Sequence, residues 1–547
     1  MSELQRQIQL AKYYRNLKFL VVDDFENFRL SVRQMIRAFG VEHIEVAGNG
    51  EDAVARCEHE SFDIILCDYN LGAGKNGQQV LEELRHNKLL KQTGIFVLIT
   101  AETSKDMVMG ALEYLPDGYI TKPMTKAVLQ KRLDVMIEQR EALKPINDAI
   151  DKELVDKAIE LINEEIKSDS KYTIWCYRKL AGLYYQKEQY DHARQIYENV
   201  LTKRDIGWAQ LGLGKVKLAQ GDFQGAIDGL TGLLKQNGNL IEAYDWLAEA
   251  QLKKGSALEA QQTLKKAVEI SPFAIIRQKK LADVCAKNKD VEGASDAFRT
   301  TVKLGHNSVH ESPENYLSLG RCLSELSEGD KTDLGKKRAK EAVHTLERVG
   351  KKFKDDQSVQ VSSMLIQSRV HQGQGDEKKA KTILAKVESS MDIADADAST
   401  KLEFAKTLYT MGEVSQAEQL LSELAQESGD DAAVMASIED LLDEPVSLQK
   451  KVKARKLNKQ GIGAFEKGEL GKAIEVFESA LVSTPKHPAL NLNMVQVMLK
   501  QIAEQGGNPE LKRRCEHCLA NVKHIPERHR QYKRYAHLVK KVQALKA

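Results

Sequence analysis

Five polar residues in the first part of the chain have the types and spacing that phosphoryl transfer requires. Asp23 and Asp24 are adjacent, Asp68 follows Asp24 by 44 residues, and Thr100 and Lys122 follow at further intervals of 32 and 22 residues. Converging carboxylates repel one another unless a hard cation lies among them, and oxygen ligands suit Mg²⁺. A carboxylate can also attack phosphorus to form an acyl phosphate. A lysine ammonium and a hydroxyl group would then offset the charge of the transferred group.

The elements that must position these residues are short apolar runs separated by amphipathic segments. The runs occupy residues 17–22, 43–48, 62–67, 94–100 and 117–121. The segments between them place apolar residues three and four positions apart, which predicts helices. This alternation predicts a five-stranded parallel sheet with helices on both faces. Because the polar residues end or follow the runs, we expect them to meet at the carboxyl edge of the sheet, where such folds place their sites.

Four motifs in this region resemble those of the receiver domain of two-component response regulators: VVDD, ILCDYN, VLITAE and GYITKP. The resemblance covers about residues 15–140 and implies a CheY-like α/β fold of the flavodoxin type. It also implies that Asp68 is the phosphoacceptor and that Mg²⁺ is the cofactor. The implied metal ligands are Asp24, Asp23 acting through water, Asp68, and the backbone carbonyl of Asn70.

The same resemblance assigns roles to residues at the ends of the fourth and fifth strands. Thr100, Ala101 and Lys122 would contact the phosphoryl group. Thr100 and Tyr119 would form a switch, in which the tyrosine side chain responds to movement of the threonine. The bond between Lys122 and Pro123 is a candidate for the cis form, which proline tolerates far better than other residues do.

Beyond this region the chain repeats a helix-forming pattern with a period of about 34 residues. Equivalent alanines are 33, 34 and 34 residues apart, at Ala193, Ala226, Ala260 and Ala294. Each is followed four positions later by a large apolar or aromatic residue, as expected where two helices pack closely. The pattern resembles the tetratricopeptide repeat (TPR) and predicts an all-α solenoid. We count six clear repeats and three degenerate ones.

These patterns divide the chain into six segments. They are an N-terminal extension (1–16), the receiver (17–140), a helical connector with a half-repeat (141–170), the TPR array (171–426), a hinge (427–450), and a C-terminal TPR with a basic helical tail (451–547). The last receiver helix is expected to end at Pro145, and a lengthened loop is expected from Ser327 to Arg338. An atypical helix is the alternative to a hinge after the array.

Composition and charge exclude several classes of protein. The 81 basic and 79 acidic residues nearly cancel, so no global field favours nucleic acid or a membrane surface. No apolar signal segment or membrane-length apolar run is present, and the seven scattered cysteines predict reduced thiols in the cytoplasm.

Two features of the C-terminus could suggest other partners. Residues 511–547 carry eleven Lys/Arg against two Asp/Glu. The zinc-ligand types at Cys515, Cys518, His524 and His529 have a central spacing too short for a zinc finger.

The favoured function is a response regulator of a phosphorelay. A histidine kinase or a phosphotransfer protein would phosphorylate Asp68, and the TPR array would signal by binding a protein partner. The switch would alter the face formed by the receiver's fourth helix, fifth strand and fifth helix, and with it either residues 141–200 or a receiver-mediated homodimer. No catalytic output motif is found, so we expect no output enzyme. The alternatives are a constitutive TPR scaffold with a docking or dimerising receiver, and a nucleic-acid-binding regulator using the basic C-terminus.

Overall fold

The computed structural model of the chain describes residues 3–101, 114–428, 431–441, 457–458, 460–483, 488–506, 509–522 and 531–545. The chain divides into two compact units, Met1–Cys322 and Leu323–Ala547. The first unit contains a β-sheet with its helices and a series of helix pairs. The described part of the second unit consists of helices and their connections. Among the described helices, none combines the length and apolarity needed to cross a bilayer.

Five parallel strands form the sheet of the first unit: β1 (Lys18–Val22), β2 (His43–Ala47), β3 (Ile64–Asp68), β4 (Ile95–Thr100) and β5 (Gly118–Thr121). Their spatial order is β2-β1-β3-β4-β5. β3 and β4 are buried along their whole length, since a parallel sheet covered on both faces requires continuous apolar strands. The predicted flavodoxin-like fold is confirmed, and the predicted strands agree with the observed ones to within two residues.

The described helices of this domain are α1 (Glu3–Asn16), α2 (Glu26–Arg37), α3 (Gly50–His59), α4 (Gly77–His86) and α5 (Lys126–Asp151). Apolar residues of α1, α2 and α5 form one core with alternate strand residues such as Ile64 and Leu66. Residues of α3 and α4 form the other core with Ile65 and Cys67. Each face of the sheet thus buries every second strand residue, as the strand period requires.

The N-terminal segment, expected only as an extension, forms α1 and packs against the sheet domain. Leu10 and Tyr14 are buried. The Tyr14 hydroxyl donates a 2.8 Å hydrogen bond to the carboxylate of Asp134 on α5, and Arg6 forms an ion pair with Glu138 on the same helix. Burial and the hydrogen bond to Asp134 raise the pKa of Tyr14. The segment is therefore part of the folded core of this domain.

Helix α5 runs for 26 residues and passes through Pro145, so the prediction that it ends there is wrong. A proline inside a helix removes one hydrogen bond and costs about 3 kcal/mol. Leu143 and Ile146 on either side of it are almost fully buried, and burial of each such side chain contributes about 1.5–3 kcal/mol. Packing therefore offsets the proline, and the helix continues into the connector.

The remainder of the first unit consists of the predicted helix pairs. After α6 (Val155–Lys167), the pairs are α7 (Thr173–Gln186) with α8 (Tyr190–Lys203), α9 (Gly207–Ala219) with α10 (Phe223–Gln236), α11 (Ile241–Lys254) with α12 (Ala257–Ile270), and α13 (Ile275–Lys287) with α14 (Val291–Gly305). The four anchor alanines have no exposed surface. Their small side chains let paired helices approach closely. The residues of the predicted half-repeat, Ala158 and Ile162, lie on α6 and are also fully buried.

The second unit continues the helical series. Helix α15 (Pro313–Ser327) begins before the unit boundary and ends after it. The described helices that follow it are α16 (Asp333–Lys352), α17 (Gln357–Gly373), α18 (Glu377–Ser390), α19 (Ala398–Met411), α20 (Val414–Glu427), α21 (Ala432–Leu441), a helical stretch at 460–466, α22 (Leu470–Ser483), α23 (Pro488–Gln505), α24 (Pro509–Asn521) and α25 (Tyr532–Gln543). The degenerate repeat near Ala380 is a complete pair, α17 with α18. The predicted all-α region is thereby confirmed.

Two expectations about connections in this region need correction. The lengthened loop predicted from Ser327 to Arg338 is wrong, because α16 begins at Asp333 and the extra residues make this helix 20 residues long. The Thr332 side chain accepts a hydrogen bond from the Gly335 N–H and so starts the helix early. Part of the predicted hinge is α21, whose Ile438 is buried against α19 and α20. The atypical helix fits this part, and residues 442–450 lie outside the described residues.

Candidate functional site

The polar residues singled out in the sequence lie together at the carboxyl edge of the sheet. Asp68 is the last residue of β3, and Thr100 is the last residue of β4. Asp23 directly follows β1, and Lys122 directly follows β5. Backbone hydrogen bonds extend the pairing one residue past the strands, from Asp23 N–H to the Ala47 carbonyl and from Lys122 N–H to the Thr100 carbonyl. Parallel strands that end at one edge therefore bring the side chains together.

Three carboxylates form the centre of this site. Asp23, Asp24 and Asp68 each offer a carboxylate oxygen, and these oxygens lie within 4.8 Å of one another. Asp23 and Asp68 are buried, whereas Asp24 is exposed. The Phe25 N–H donates to Asp23 Oδ1 at 2.8 Å, and the Asn70 N–H donates to Asp68 Oδ1 at 3.3 Å. Hard anionic oxygens with one side open to water fit a Mg²⁺ ion, which keeps several waters when bound.

Lys122 balances the charge of the two buried carboxylates. Its Nζ lies 2.7 Å from Asp23 Oδ2 and 2.7 Å from Asp68 Oδ2, and 4.0 Å from the centre of the Phe28 ring. Burial alone would lower the pKa of Lys122, but its hydrogen bonds to the two carboxylates outweigh burial and raise the pKa. Burial raises the pKa of Asp68, against the opposing effect of Lys122. The lysine is thus held charged beside the predicted acceptor.

The predicted phosphoryl-contacting and switch residues flank this cluster. Thr100 is buried, Ala101 is exposed, and Tyr119 is partly buried where it packs against the core that contains Leu98. The peptide bond from Lys122 to Pro123 is cis. Residues 102–113 lie outside the described residues, so the roles of Thr100 and Tyr119 as a switch stay predictions. The same holds for the metal-binding role of the Asn70 carbonyl.

One residue close to the site is not among those predicted from the motifs. Gly77 is the first residue of α4, and its N–H donates to the Tyr69 carbonyl at 2.8 Å. A Cβ atom at this position would lie 2.1 Å from the Asp68 carbonyl oxygen, so only glycine fits. The preceding Asn76 and the later Gln79 form a capping box. This N-x-x-Q spacing before an apolar run is the signal that could have marked the helix start.

The cysteines of the discounted zinc set lie in the apolar core of the second unit. Cys515 and Cys518 are buried on α24. Burial raises the pKa of Cys515 to about 12 and that of Cys518 to about 11. A metal needs the thiolate form, which burial disfavours. His524 and His529 lie outside the described residues.

Comparison with known proteins finds two families. Residues 19–134 match the response regulator receiver domain, and residues 211–275 match a tetratricopeptide repeat. Chemotaxis protein CheY-3 of Vibrio cholerae is 32% identical over 125 residues, covering 23% of this chain and 95% of CheY-3. Chemotaxis protein CheY of Pseudomonas aeruginosa is 28% identical over 123 residues, covering 22% and 98%. The solved structure of V. cholerae CheY4 has 26% identity and a TM-score of 0.21, covering 22% and 98%.

Proposed function

Because this chain belongs to the CheY-like response regulator receiver family and also carries tetratricopeptide repeats, we propose that it is a phosphorelay response regulator whose output is protein binding. The observation that carries the proposal is the convergence of Asp23, Asp24 and Asp68 around the Lys122 ammonium. Each of these residues would have a distinct task in phosphoryl transfer, and the burial of two carboxylates, Asp23 and Asp68, beside one another has no obvious structural reason.

The proposed chemistry begins with Asp68 as the nucleophile. One of its carboxylate oxygens attacks the phosphorus of a phosphohistidine on a histidine kinase or a phosphotransfer protein. The O–P bond forms as the N–P bond of the donor breaks, and the imidazole leaves. Mg²⁺ held by Asp23, Asp24, Asp68 and the Asn70 carbonyl would neutralise charge on the transferred group. Lys122, already 2.7 Å from Asp68, would follow the phosphoryl oxygens.

The proposed output is a protein partner bound by the repeats. Between α9 and α10 a groove of about 260 Å³ is lined by Leu213, Lys217 and Asp228 together with Gly229 and Gly232. Glycines leave space for an extended peptide to approach the helix backbone, and the flanking charges could orient it. We propose no output enzyme, and the receiver's own phosphorylation and hydrolysis are its only chemistry. The constitutive scaffold is the alternative, and in it partner binding would not depend on Asp68.

Beryllofluoride, an analogue of the phosphoryl group, tests the proposed site. Isothermal titration calorimetry of the full chain should detect one beryllofluoride site per molecule in the presence of Mg²⁺. Asp24→Asn should weaken this binding at least tenfold, because even residues that only orient metal ligands change affinity by about 10–100-fold. Asp24 is exposed, so the substitution should leave the fold intact.

Glu26→Gln is the matched control. Glu26 is also an exposed acid, two residues further along on α2, and it is outside the cluster. The Glu26→Gln chain should bind beryllofluoride with the same affinity as the unmodified chain. Equal affinity in Asp24→Asn, or no binding by the unmodified chain, would refute the proposed metal-assisted acceptor site.

A further inference from the structure

We infer that α4 is a docking surface for the chain's own segment 304–310, which comprises the end of α14 and the connection after it, and that this docking opposes phosphorylation of Asp68. The inference rests on the proposed function of Asp68 and adds a means of regulating it. All the residues involved belong to the first unit, Met1–Cys322.

Glu82 is the centre of the docked contact. It lies on the exterior of α4, yet its side chain is only 3% exposed because segment 304–310 covers it. The Ser308 hydroxyl donates a 2.6 Å hydrogen bond to Glu82 Oε2, and His310 Nε2 lies 3.1 Å from Oε1. A buried carboxylate is costly unless it is paired and hydrogen-bonded. The contact therefore depends specifically on the segment that supplies these partners.

The pairing of Glu82 is incomplete. Oε1 accepts no hydrogen bond, although His310 Nε2 lies 3.1 Å from it. The His86 ring on α4 packs edge-on against the His310 ring, with their centres 6.2 Å apart. A buried carboxylate that has one good donor and one poorly satisfied oxygen can be released at modest cost. Such a contact suits a reversible docking surface better than a permanent one.

Gln79 joins the docked segment to the start of α4. Its Nε2 donates to the carbonyls of His306 at 2.9 Å and Leu304 at 3.4 Å. Its Oε1 accepts from the Asn76 N–H at 3.1 Å, and its own N–H donates to Asn76 Oδ1 at 2.9 Å. One amide side chain thus caps the helix and holds the segment. Movement of the cap must disturb the docking.

The cap in turn rests on the predicted phosphoacceptor. Gly77 lies against the backbone of Asp68 so closely that a Cβ atom would overlap the Asp68 carbonyl oxygen. The loop that connects the two, residues 69–76, carries the Asn70 N–H that bonds the Asp68 carboxylate. A change in the position of Asp68 or of this loop is therefore transmitted directly to the first turn of α4.

A further contact between the sheet domain and the helical region that follows it lies at the opposite end of the strands. The N–H of Gln92, in the loop before β4, donates to Asp151 Oδ1 at 2.7 Å, and the Lys179 Nζ donates to Gln92 Oε1 at 2.8 Å. Because β4 begins at Ile95 and the acceptor site is at the other end of the strands, this contact is remote from Asp68. The docking on α4 can therefore open while the domain stays anchored.

In the structure, Lys122 bridges Asp23 and Asp68. A phosphoryl group adds about two negative charges, and these would lie beside the loop that follows Asp68 and carries the Asn70 N–H. The docked hydrogen bonds fit the present position of α4, so a shift of that helix would leave the Glu82 carboxylate buried without Ser308. Phosphorylation and docking are then mutually unfavourable. Such coupling is reciprocal, so loss of docking must strengthen binding of a phosphoryl analogue.

Ser308→Asp is the test, since it places a second carboxylate against Glu82 and should separate the segment from α4. In calorimetric titrations of the full chain with Mg²⁺, we expect Ser308→Asp to bind beryllofluoride at least about fivefold more tightly, the lower end of typical coupling. Ser308→Ala, a milder change that removes the donor, should shift the affinity in the same direction. Circular dichroism should show unchanged helicity.

Ser312→Asp is the matched control. Ser312 lies in the same connection, and its Oγ accepts from the Glu314 N–H at the start of α15, where aspartate is also favourable. This variant should bind beryllofluoride as the unmodified chain does. Equal or weaker binding by both Ser308 variants would overturn the docking inference and leave the proposed function standing, whereas failure of the unmodified chain to bind would refute the proposed function itself.

Discussion

Asp68→Asn should abolish phosphoryl transfer to the chain. An amide keeps the size of the side chain and can still accept from the Asn70 N–H, but it cannot act as the nucleophile. With acetyl phosphate and Mg²⁺, intact-mass measurement should show one added phosphoryl group on the unmodified chain and none on the variant. Asp23 is also buried beside Lys122, so the variant distinguishes Asp68 from this second carboxylate as the acceptor.

Asp52→Asn is a suitable control, because Asp52 lies on α3, where it pairs with Arg56, and is outside the carboxylate cluster. It should be labelled to the same extent as the unmodified chain. Unchanged labelling of Asp68→Asn would contradict the assignment of the acceptor, and mapping of the modified residue would then locate the true one.

Lys122→Ala should slow phosphoryl incorporation by about 10²–10³-fold, the loss typical when one preorganised donor to a developing charge is removed. The ammonium is held 2.7 Å from Asp68 Oδ2 and is the cation that offsets Asp23 and Asp68. The time course of intact mass gives the rate, and circular dichroism checks that the fold persists.

Lys131→Ala controls for the loss of a lysine from the same region. Lys131 lies exposed on α5, outside the carboxylate cluster. Its rate of labelling should match that of the unmodified chain. A Lys122→Ala chain that is labelled as fast as Lys131→Ala would show that the ammonium has no part in the transfer.

The sequence predicted the sheet and the convergence of the polar side chains at its carboxyl edge, for a local reason. Strands buried on both faces are continuous apolar runs, and Asp68 and Thr100 mark the ends of two of them. A parallel sheet then requires these ends to meet, so the side chains that converge follow from order along the chain. The alanine period predicted the helix pairs by similar local logic, because a small residue is needed wherever paired helices touch.

Features that depend on distant packing could not be predicted in this way. The polar N-terminus gave little sign of α1, although Leu10 and Tyr14 are one helical turn apart and both become buried. A local rule ends α5 at Pro145, but burial of Leu143 and Ile146 overrides it. The contact between Glu82 and Ser308 joins residues 226 positions apart, and no local pattern contains that information.

The route that we infer for the signal passes through a different helix from those that the sequence hypothesis predicts. That hypothesis assigned coupling to the face formed by the fourth helix, the fifth strand and the fifth helix of the receiver, and residues 102–113 of that face lie outside the described residues. The described contacts add a different helix, α4 (Gly77–His86), which precedes residues 102–113 in the chain. Its first residue touches the Asp68 backbone, and its Glu82 holds segment 304–310. A receiver could thus act on the fourth helix pair directly, without passing the change through the connector.

Hydrogen exchange of the full chain, with and without beryllofluoride in Mg²⁺ buffer, tests most directly whether charge at Asp68 reaches the repeats through α4. We expect faster exchange of backbone amides in segment 304–310 and in α4 when the analogue binds, because the docked hydrogen bonds open. Amides near Asp151, at the remote contact, should exchange as before. Slower or unchanged exchange in segment 304–310, together with protection around Asp68, would contradict the proposed coupling.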